Sequence, residues 1–233
     1  MSRVLPILFN TEMVRAILDG RKTVTRRLIK SQQLIGILPD KCKNGMPEEF
    51  LKEKKFMFKP YCDMADAELI KTAYNPPYQP GDILYVRESV FQGVGHYLDV
   101  SGETVSVLTN DFEYYADGLN EKDHWKDKYE RTWMHRRPSI HMPKEAARIW
   151  LKVKDVRVER LQEITVDGIR REGVGVDPKD CAGKFSYIAE LFFLFQRLWD
   201  STIKKTDIDR YGWDVSPWVW VIEFERCKKP ECI

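Results

Sequence analysis

The stretch "VLPILFNTEMVRAILDGRKTVTRR", residues 4–27, constrains the fold more than any other. Its first six residues are mainly apolar and read as a short strand. Asn10 or Thr11 then offers a side-chain oxygen to the unsatisfied N–H groups that open a helix. Met13, Val14, Ile17 and Leu18 recur at three- and four-residue spacing, which gives that helix one apolar face. Gly20 follows, where helices commonly stop in the left-handed conformation. The β-branched residues of "KTVTRRLI" predict a second strand. Lys22, Thr25, Arg26 and Arg27 are thereby set directly after a tight turn.

The later elements follow the same logic. "DILYVRESV" reads as a strand with Ile83, Tyr85 and Arg87 on one face and Leu84, Val86 and Glu88 on the other. "VFQGVGHYLDV" and "FEYYADG" suggest a strand pair. In "IWLKVKDVRVERL", Ile149, Leu151 and Val153 alternate, but Val156 and Val158 fall on the opposite parity, so a bulge or barrel corner is expected near Asp155. "TVDGIRREG" reads as a short helix capped by Thr165 and ended by Gly173. "KFSYIAELFFLFQRLWD" is the strongest helix, with Phe185, Ile188, Leu191, Phe192, Phe195 and Leu198 as its apolar stripe. "PWVWVIEFERC" closes the chain as a strand, with Trp220 assigned to the core.

The segments at about 31–78 and 96–135 are charged, turn-rich and weakly periodic, and read as insertions in a single domain spanning 1–233. His96 and His124 are expected in loops there. Strands outnumber helices without regular βαβ alternation, so the expected class is α+β, a compact barrel with flanking helices.

Charge and composition exclude several functions. With 38 basic and 36 acidic side chains the net charge is +2, so nucleic acid binding requires a local patch. The N-terminus lacks the long apolar core of a signal peptide, and no run of apolar residues is long enough to cross a membrane. Five cysteines without close pairing read as reduced thiols. A cytoplasmic protein with no membrane partner is expected. There is no GxGxxG, and "GRKT" lacks the upstream glycine of a phosphate-binding loop. The spacings of His135 with His141 and of Cys227 with Cys232 are not those of zinc sites, so neither metal nor cofactor is expected.

Lys22 and Thr25 are the first candidates for chemistry. A lysine amine acts as a base when burial or cationic neighbours lower its pKa, and Arg21, Arg26 and Arg27 are such neighbours. A threonine hydroxyl needs a base of that kind to become a nucleophile. On a regular strand the two side chains point to opposite faces, so they converge only if Lys22 still belongs to the turn. The competing reading is a basic helix end followed by an ordinary strand. Glu172, at the end of a short helix, is the third candidate, to position the lysine or protonate a leaving amine. Arg21, Arg26, Arg87 and Glu88 are candidates for binding substrate, and Trp213 for a wall against a flat base. Backbone N–H groups near Gly20 are candidates for an oxyanion hole. "WMHRRPSIHMPKEAAR" sets Arg136, Arg137 and Lys144 beside Trp133, a candidate phosphate-facing surface with an aromatic for base stacking, or else a solvated loop.

"ILFNTEMVRAILDGRKTVTRR", "PGDILYVRES", "RVERLQEITVDGIRREG" and "WDVSPWVWVIEFER" together resemble the ASCH family of PUA-like β-barrel domains, in particular its larger phage- and prophage-associated members. The likeness covers the first 30 residues, roughly 80–95 and most of 138–226. It implies a small barrel with a cleft beside the "GRKTVTRR" element. It also implies RNA binding or, as in some small members, metal-free hydrolysis of N4-acylated cytidine. The amidohydrolase motif residues map onto Lys22, Thr25 and Glu172, with Glu163 competing for the last place. The expected partner is a modified nucleoside or RNA. The alternative is a non-catalytic RNA-binding or phage-associated interaction module.

Overall fold

The computed structural model describes residues 2–29, 75–118, 134–175 and 187–230. The first predicted insertion therefore lies almost wholly outside the described residues, as do His124, Trp133 and Phe185.

The opening elements form where the sequence puts them. β1 spans Val4–Leu8 and α1 spans Thr11–Leu18. Asn10 caps α1 by accepting from Met13 N at 2.8 Å, and Val14, Ala16 and Ile17 are its buried residues. Gly20 takes φ 75°, a conformation that costs a residue with a Cβ about 1–2 kcal/mol. β2 follows at Val24–Leu28, then β3 at Ile83–Arg87, with Leu84 and Val86 on its buried face.

The second predicted insertion contains ordered structure. β4 (Val90–Leu98) pairs antiparallel with β5 (Thr104–Tyr114) and with β6 (Met134–Arg137). His96 lies within β4 rather than in a loop, its Nδ1 2.8 Å from Ser106 Oγ on the facing strand. The predicted strand at "FEYYADG" begins earlier, at Thr104, and stops at Tyr114, where a 3₁₀ turn at Tyr115–Asp117 leads into Gly118 at φ 96°.

β7 spans Trp150–Arg160 and shows the predicted change of parity, with Val153 and Val156 buried and Lys154 and Asp155 exposed between them. α2 (Val166–Arg171) is capped by Thr165, whose hydroxyl accepts from Gly168 N at 3.1 Å. α3 (Tyr187–Thr202), α4 (Ile208–Tyr211) and β8 (Trp218–Cys227) complete the fold.

Strands are hydrogen-bonded in the order β1-β3-β7-β8-β2 in one sheet and β5-β4-β6 in another. β1 and β3 are parallel, whereas β3 with β7 and β2 with β8 are antiparallel. The class is α+β, as expected. The closed barrel is not found: β1 and β2 end the five-strand order, and no pairing joins them among the described residues. Both are short, and β1 carries Pro6, which has no N–H to give to a ladder and suits an edge strand. No helix among the described residues is long and apolar enough to cross a membrane.

The chain divides into two compact units, one of Met1–Thr23, Gly81–Val153 and Phe224–Ile233, the other of Val24–Pro80 and Lys154–Glu223. The parity change in β7 thus coincides with a unit boundary. One core cluster of the first unit joins Val90, Met142, Ala146, Ala147 and Trp150. In the second unit Val24, Leu161, Ile164, Ile169, Val219 and Val221 pack with Leu191, Phe195 and Trp199 of α3. The buried stripe of α3 therefore runs 191, 195, 199. Ile188, predicted within it, is 53% exposed, because the stripe advances by four and leaves position 188 off its axis.

Leu191→Ala should accordingly cost about 3 kcal/mol in chemical denaturation. Ile188→Ala should stay within roughly 0.5 kcal/mol. Equal losses at the two positions would contradict this packing.

Candidate functional site

The run after Gly20 buries an unusual amount of polarity. Lys22 is 2% exposed, Thr25 3% and Arg26 8%. Lys22 belongs to the first unit, and its ammonium lies 5.6 Å from the centroid of the Phe9 ring. Arg21 turns outward to an ion pair with Asp19 at 2.8 Å. The N–H groups of Gly20, Arg21 and Lys22 donate to Ile17 O and Ala16 O at 2.9–3.1 Å, closing the end of α1. They are engaged in the helix cap, so the oxyanion hole expected near Gly20 does not have these groups to use.

Thr25, Arg26 and Arg27 belong to the second unit, on β2. Side chains alternate along a strand, so Val24, Arg26 and Leu28 share one face and Thr25 and Arg27 the other. Thr25 pairs across the ladder with Ile222, and Arg26 with Val221. Val24 and Leu28 join the apolar core on the face that carries Arg26.

Arg26 is accommodated there by two carboxylates. Its Nη1 donates to Glu172 Oε1 at 3.1 Å and its Nη2 to Glu159 Oε2 at 3.0 Å. The side chains of Arg26 and Glu172 are each 4% exposed. Glu159 is braced in turn by Arg157, whose Nε donates to Glu159 Oε1 at 2.6 Å. Arg157 also reaches Glu223 at 3.5 Å, and Glu223 forms a further ion pair with Arg171.

Glu172 reaches this position because α2 is short. Thr165 starts the helix, Gly173 ends it at φ 87°, and Glu172 becomes its C-terminal cap. A carboxylate at a helix C-terminus opposes the helix dipole, and here the Arg26 guanidinium compensates for that placement. The competing residue, Glu163, has an exposed structural task, accepting from Arg160 N at 3.0 Å in a capping box. On the other face of β2, desolvation pushes the Arg27 guanidinium below its ordinary value, against the opposing pull of Tyr78 and Glu172. Burial raises the Tyr78 phenol, and the Arg27 charge opposes that rise.

Glu159, Arg157, Glu223, Arg171 and Gly168 were not among the sequence candidates. Parity in "VRVER" sets Arg157 and Glu159 on one face of their strand, which is a visible signal. Their convergence with Arg26 depends on strand neighbours distant in sequence. Gly168 has a steric role: a Cβ added there would lie 3.0 Å from Ile164 Cγ1 and 3.4 Å from Arg26 Nη2.

The first unit has its own ion-pair centre, around the buried Glu88. Arg148 donates from Nε and Nη2 to the two oxygens of Glu88 at 3.0 and 3.1 Å, and from Nη1 to Asp117 at 2.7 Å. Its guanidinium lies 3.8 Å from the centroid of the Tyr114 ring. Burial pushes the Glu88 carboxyl above the ordinary glutamate value, Arg148 opposes this, and Asp117 adds to the rise. Arg87 donates to Met142 O at 3.0 Å and Ile140 O at 2.5 Å, and Arg137 donates to His141 O at 3.2 Å. Three successive carbonyls are thus held by two guanidiniums. Arg136 lies over Tyr115 at 5.7 Å, and Lys144 over Tyr85 at 5.9 Å.

Trp213 packs edge-on against Phe192 and Phe195 in the second unit, with centroids 6.4 and 5.8 Å away. Among the substrate-binding candidates, Arg26, Arg87 and Glu88 are therefore all committed to internal partners. Among the described residues no three His, Cys, Asp or Glu side chains stand together as metal ligands.

No family model, no curated protein and no solved structure matches the chain.

Two outcomes follow from this geometry. Gly168→Ala should lower stability by about 1 kcal/mol in denaturant titrations. The methyl meets a buried isoleucine and a guanidinium fixed by two carboxylates, which outweighs the gain of about 1 kcal/mol in helix propensity. A net gain would contradict the close approach. For Glu88, whose folded pKa is raised, the stabilising contribution is present below the ordinary glutamate value of about 4.3 and is lost as pH rises through the raised one. The stability of the wild type relative to Glu88→Gln should therefore fall as pH rises above about 4.3 in denaturation at stepped pH. A rise over that window would refute the assignment.

Proposed function

We propose that the chain recognises a nucleobase and hydrolyses an N4-acyl amide on a cytidine-type nucleoside, a chemistry allied to that of ASCH domains. The observation that carries this reading is the burial of Lys22, Thr25 and Arg26 within five residues, together with Glu172. Burying polar groups is costly, and chains concentrate that cost where chemistry needs it.

In this reading the Thr25 hydroxyl attacks the acyl carbon and gives its proton to a general base, the role that the likeness to ASCH amidohydrolases carries to Lys22. The resulting ammonium returns a proton to N4 as the carbon–nitrogen bond breaks, releasing cytidine and leaving an ester on Thr25. Water then cleaves the ester, giving the free acid and restoring the hydroxyl. The Lys22 amine is buried, beside the Phe9 ring, and a lysine used as a general base is commonly a buried one. Glu172, held by Arg26, supplies a fixed carboxylate.

The test is incubation of purified protein with N4-acetylcytidine, with and without a chelator, following release of cytidine and acetate. Turnover should survive the chelator. Thr25→Ala should reduce kcat/KM at least ~100-fold. No product at high enzyme concentration, or undiminished turnover in Thr25→Ala, defeats the proposal. RNA retention weakened by salt and by neutralising Arg136 and Arg137, with no turnover, would instead establish the non-catalytic binding module.

A further inference from the structure

We infer that Arg26 is the positioning residue for Glu172, and that Glu159 and Arg157 hold Arg26 in that role. The inference rests on the amidohydrolase reading and adds to it the device that orients its carboxylate.

Three concessions made to one ion pair support it. First, Arg26 occupies a row in which Val24 and Leu28 join the apolar core, and an apolar residue would continue that row. A buried ion pair of this kind is commonly replaceable by apolar residues without loss of stability, so stability does not account for its presence. Second, α2 carries a glycine at position 168, where the bare Cα leaves room for Arg26 Nη2. That glycine weakens a helix of only six residues. Third, the guanidinium is held from both sides. Its Nη2 is bound by Glu159 at 3.0 Å, and Glu159 is held by Arg157 at 2.6 Å. The guanidinium is planar and rigid, so holding Nη2 restricts where Nη1 stands, and with it the oxygen of Glu172 that accepts from Nη1 at 3.1 Å. Lysine, a point charge without a fork, cannot transmit that orientation.

The test combines melting with steady-state kinetics on N4-acetylcytidine. Arg26→Lys should melt near the wild type yet lose about 100-fold in kcat, with KM within about threefold, since an oriented group misplaced by an ångström costs that much. Glu172→Gln should lose a similar factor, and adding Arg26→Lys to it should lose nothing further. Glu159→Gln should show a smaller loss confined to kcat. The neutral double variant Arg26→Met/Glu172→Gln should melt close to the wild type while remaining inactive. The inference is overturned by wild-type kcat in Arg26→Lys, by losses at the two positions that multiply, or by unfolding of the neutral double variant, which would make the pair structural. Absence of turnover in the wild type is a different result: it removes the hydrolase reading itself, before any variant is compared.

Discussion

A guanidinium buried between two carboxylates, on a strand face that is otherwise apolar, governs the second unit. The elements around the Arg26 guanidinium have to accommodate its planar fork of donors. α2 does so with a glycine at 168 and with an acid at its own C-terminus, a place where acids are ordinarily unfavourable. β7 does so by turning Glu159 toward Arg26 and by setting Arg157 beside it. Each choice is poor for its own element and sensible only with Arg26 in place. Local rules break together around this one residue, a pattern that proteins show at functional or strained positions.

The first unit meets the same problem with a different balance. There one cation, Arg148, serves two acids, Glu88 and Asp117, and rests on the face of Tyr114. Glu88 is the more deeply buried acid, and Asp117 adds a like charge, so its carboxyl is displaced upward despite two hydrogen bonds from the guanidinium. Around Arg26 the charges alternate instead: Glu172, Arg26, Glu159, Arg157, Glu223, Arg171, each beside its opposite. An alternating chain fixes orientation, whereas an acid-rich cluster shifts titration. The two centres thus have different physical consequences although both are built from arginine and carboxylate.

Much of the local structure could be read from the sequence because its determinants are local. Asn10, Gly20, Thr165 and Gly173 act through their own backbone or the next turn, and each marks an element end where the pattern put it. The parity change in β7 was legible for the same reason. The closure of a barrel was not, because it depends on which strands meet across long loops, and β1 and β2 remain the ends of their order. The stripe on α3 was legible in kind but misplaced at Ile188, since a run as apolar as "IAELFFLF" fits several neighbouring faces. Of the site, the residue types at 22, 25 and 172 stood out, and Arg26 was assigned to substrate. Its commitment to Glu159 and Glu172 joins positions more than 130 apart, a pairing that no spacing rule reaches.

The exposed basic residues can be weighed against this buried run. Arg136 lies over Tyr115 and Lys144 over Tyr85, so two aromatic faces beside the candidate RNA surface already carry cations of the protein itself. A base stacking there must displace a contact worth about 0.5–1 kcal/mol to gain one worth about 1–3 kcal/mol. What remains per base runs from nothing to about 2.5 kcal/mol, and the Arg87 and Arg137 guanidiniums are engaged with carbonyls of the 140–142 loop. A surface of that kind holds a polynucleotide mainly through phosphates and discriminates poorly among bases. Discrimination of a single acylated base needs polar groups that are desolvated and held rigidly, because an unpaired buried donor or acceptor penalises the wrong ligand. Lys22, Thr25 and Arg26 of the "GRKTVTRR" run are desolvated in the way that requirement asks, whereas Arg136 of the basic surface is exposed.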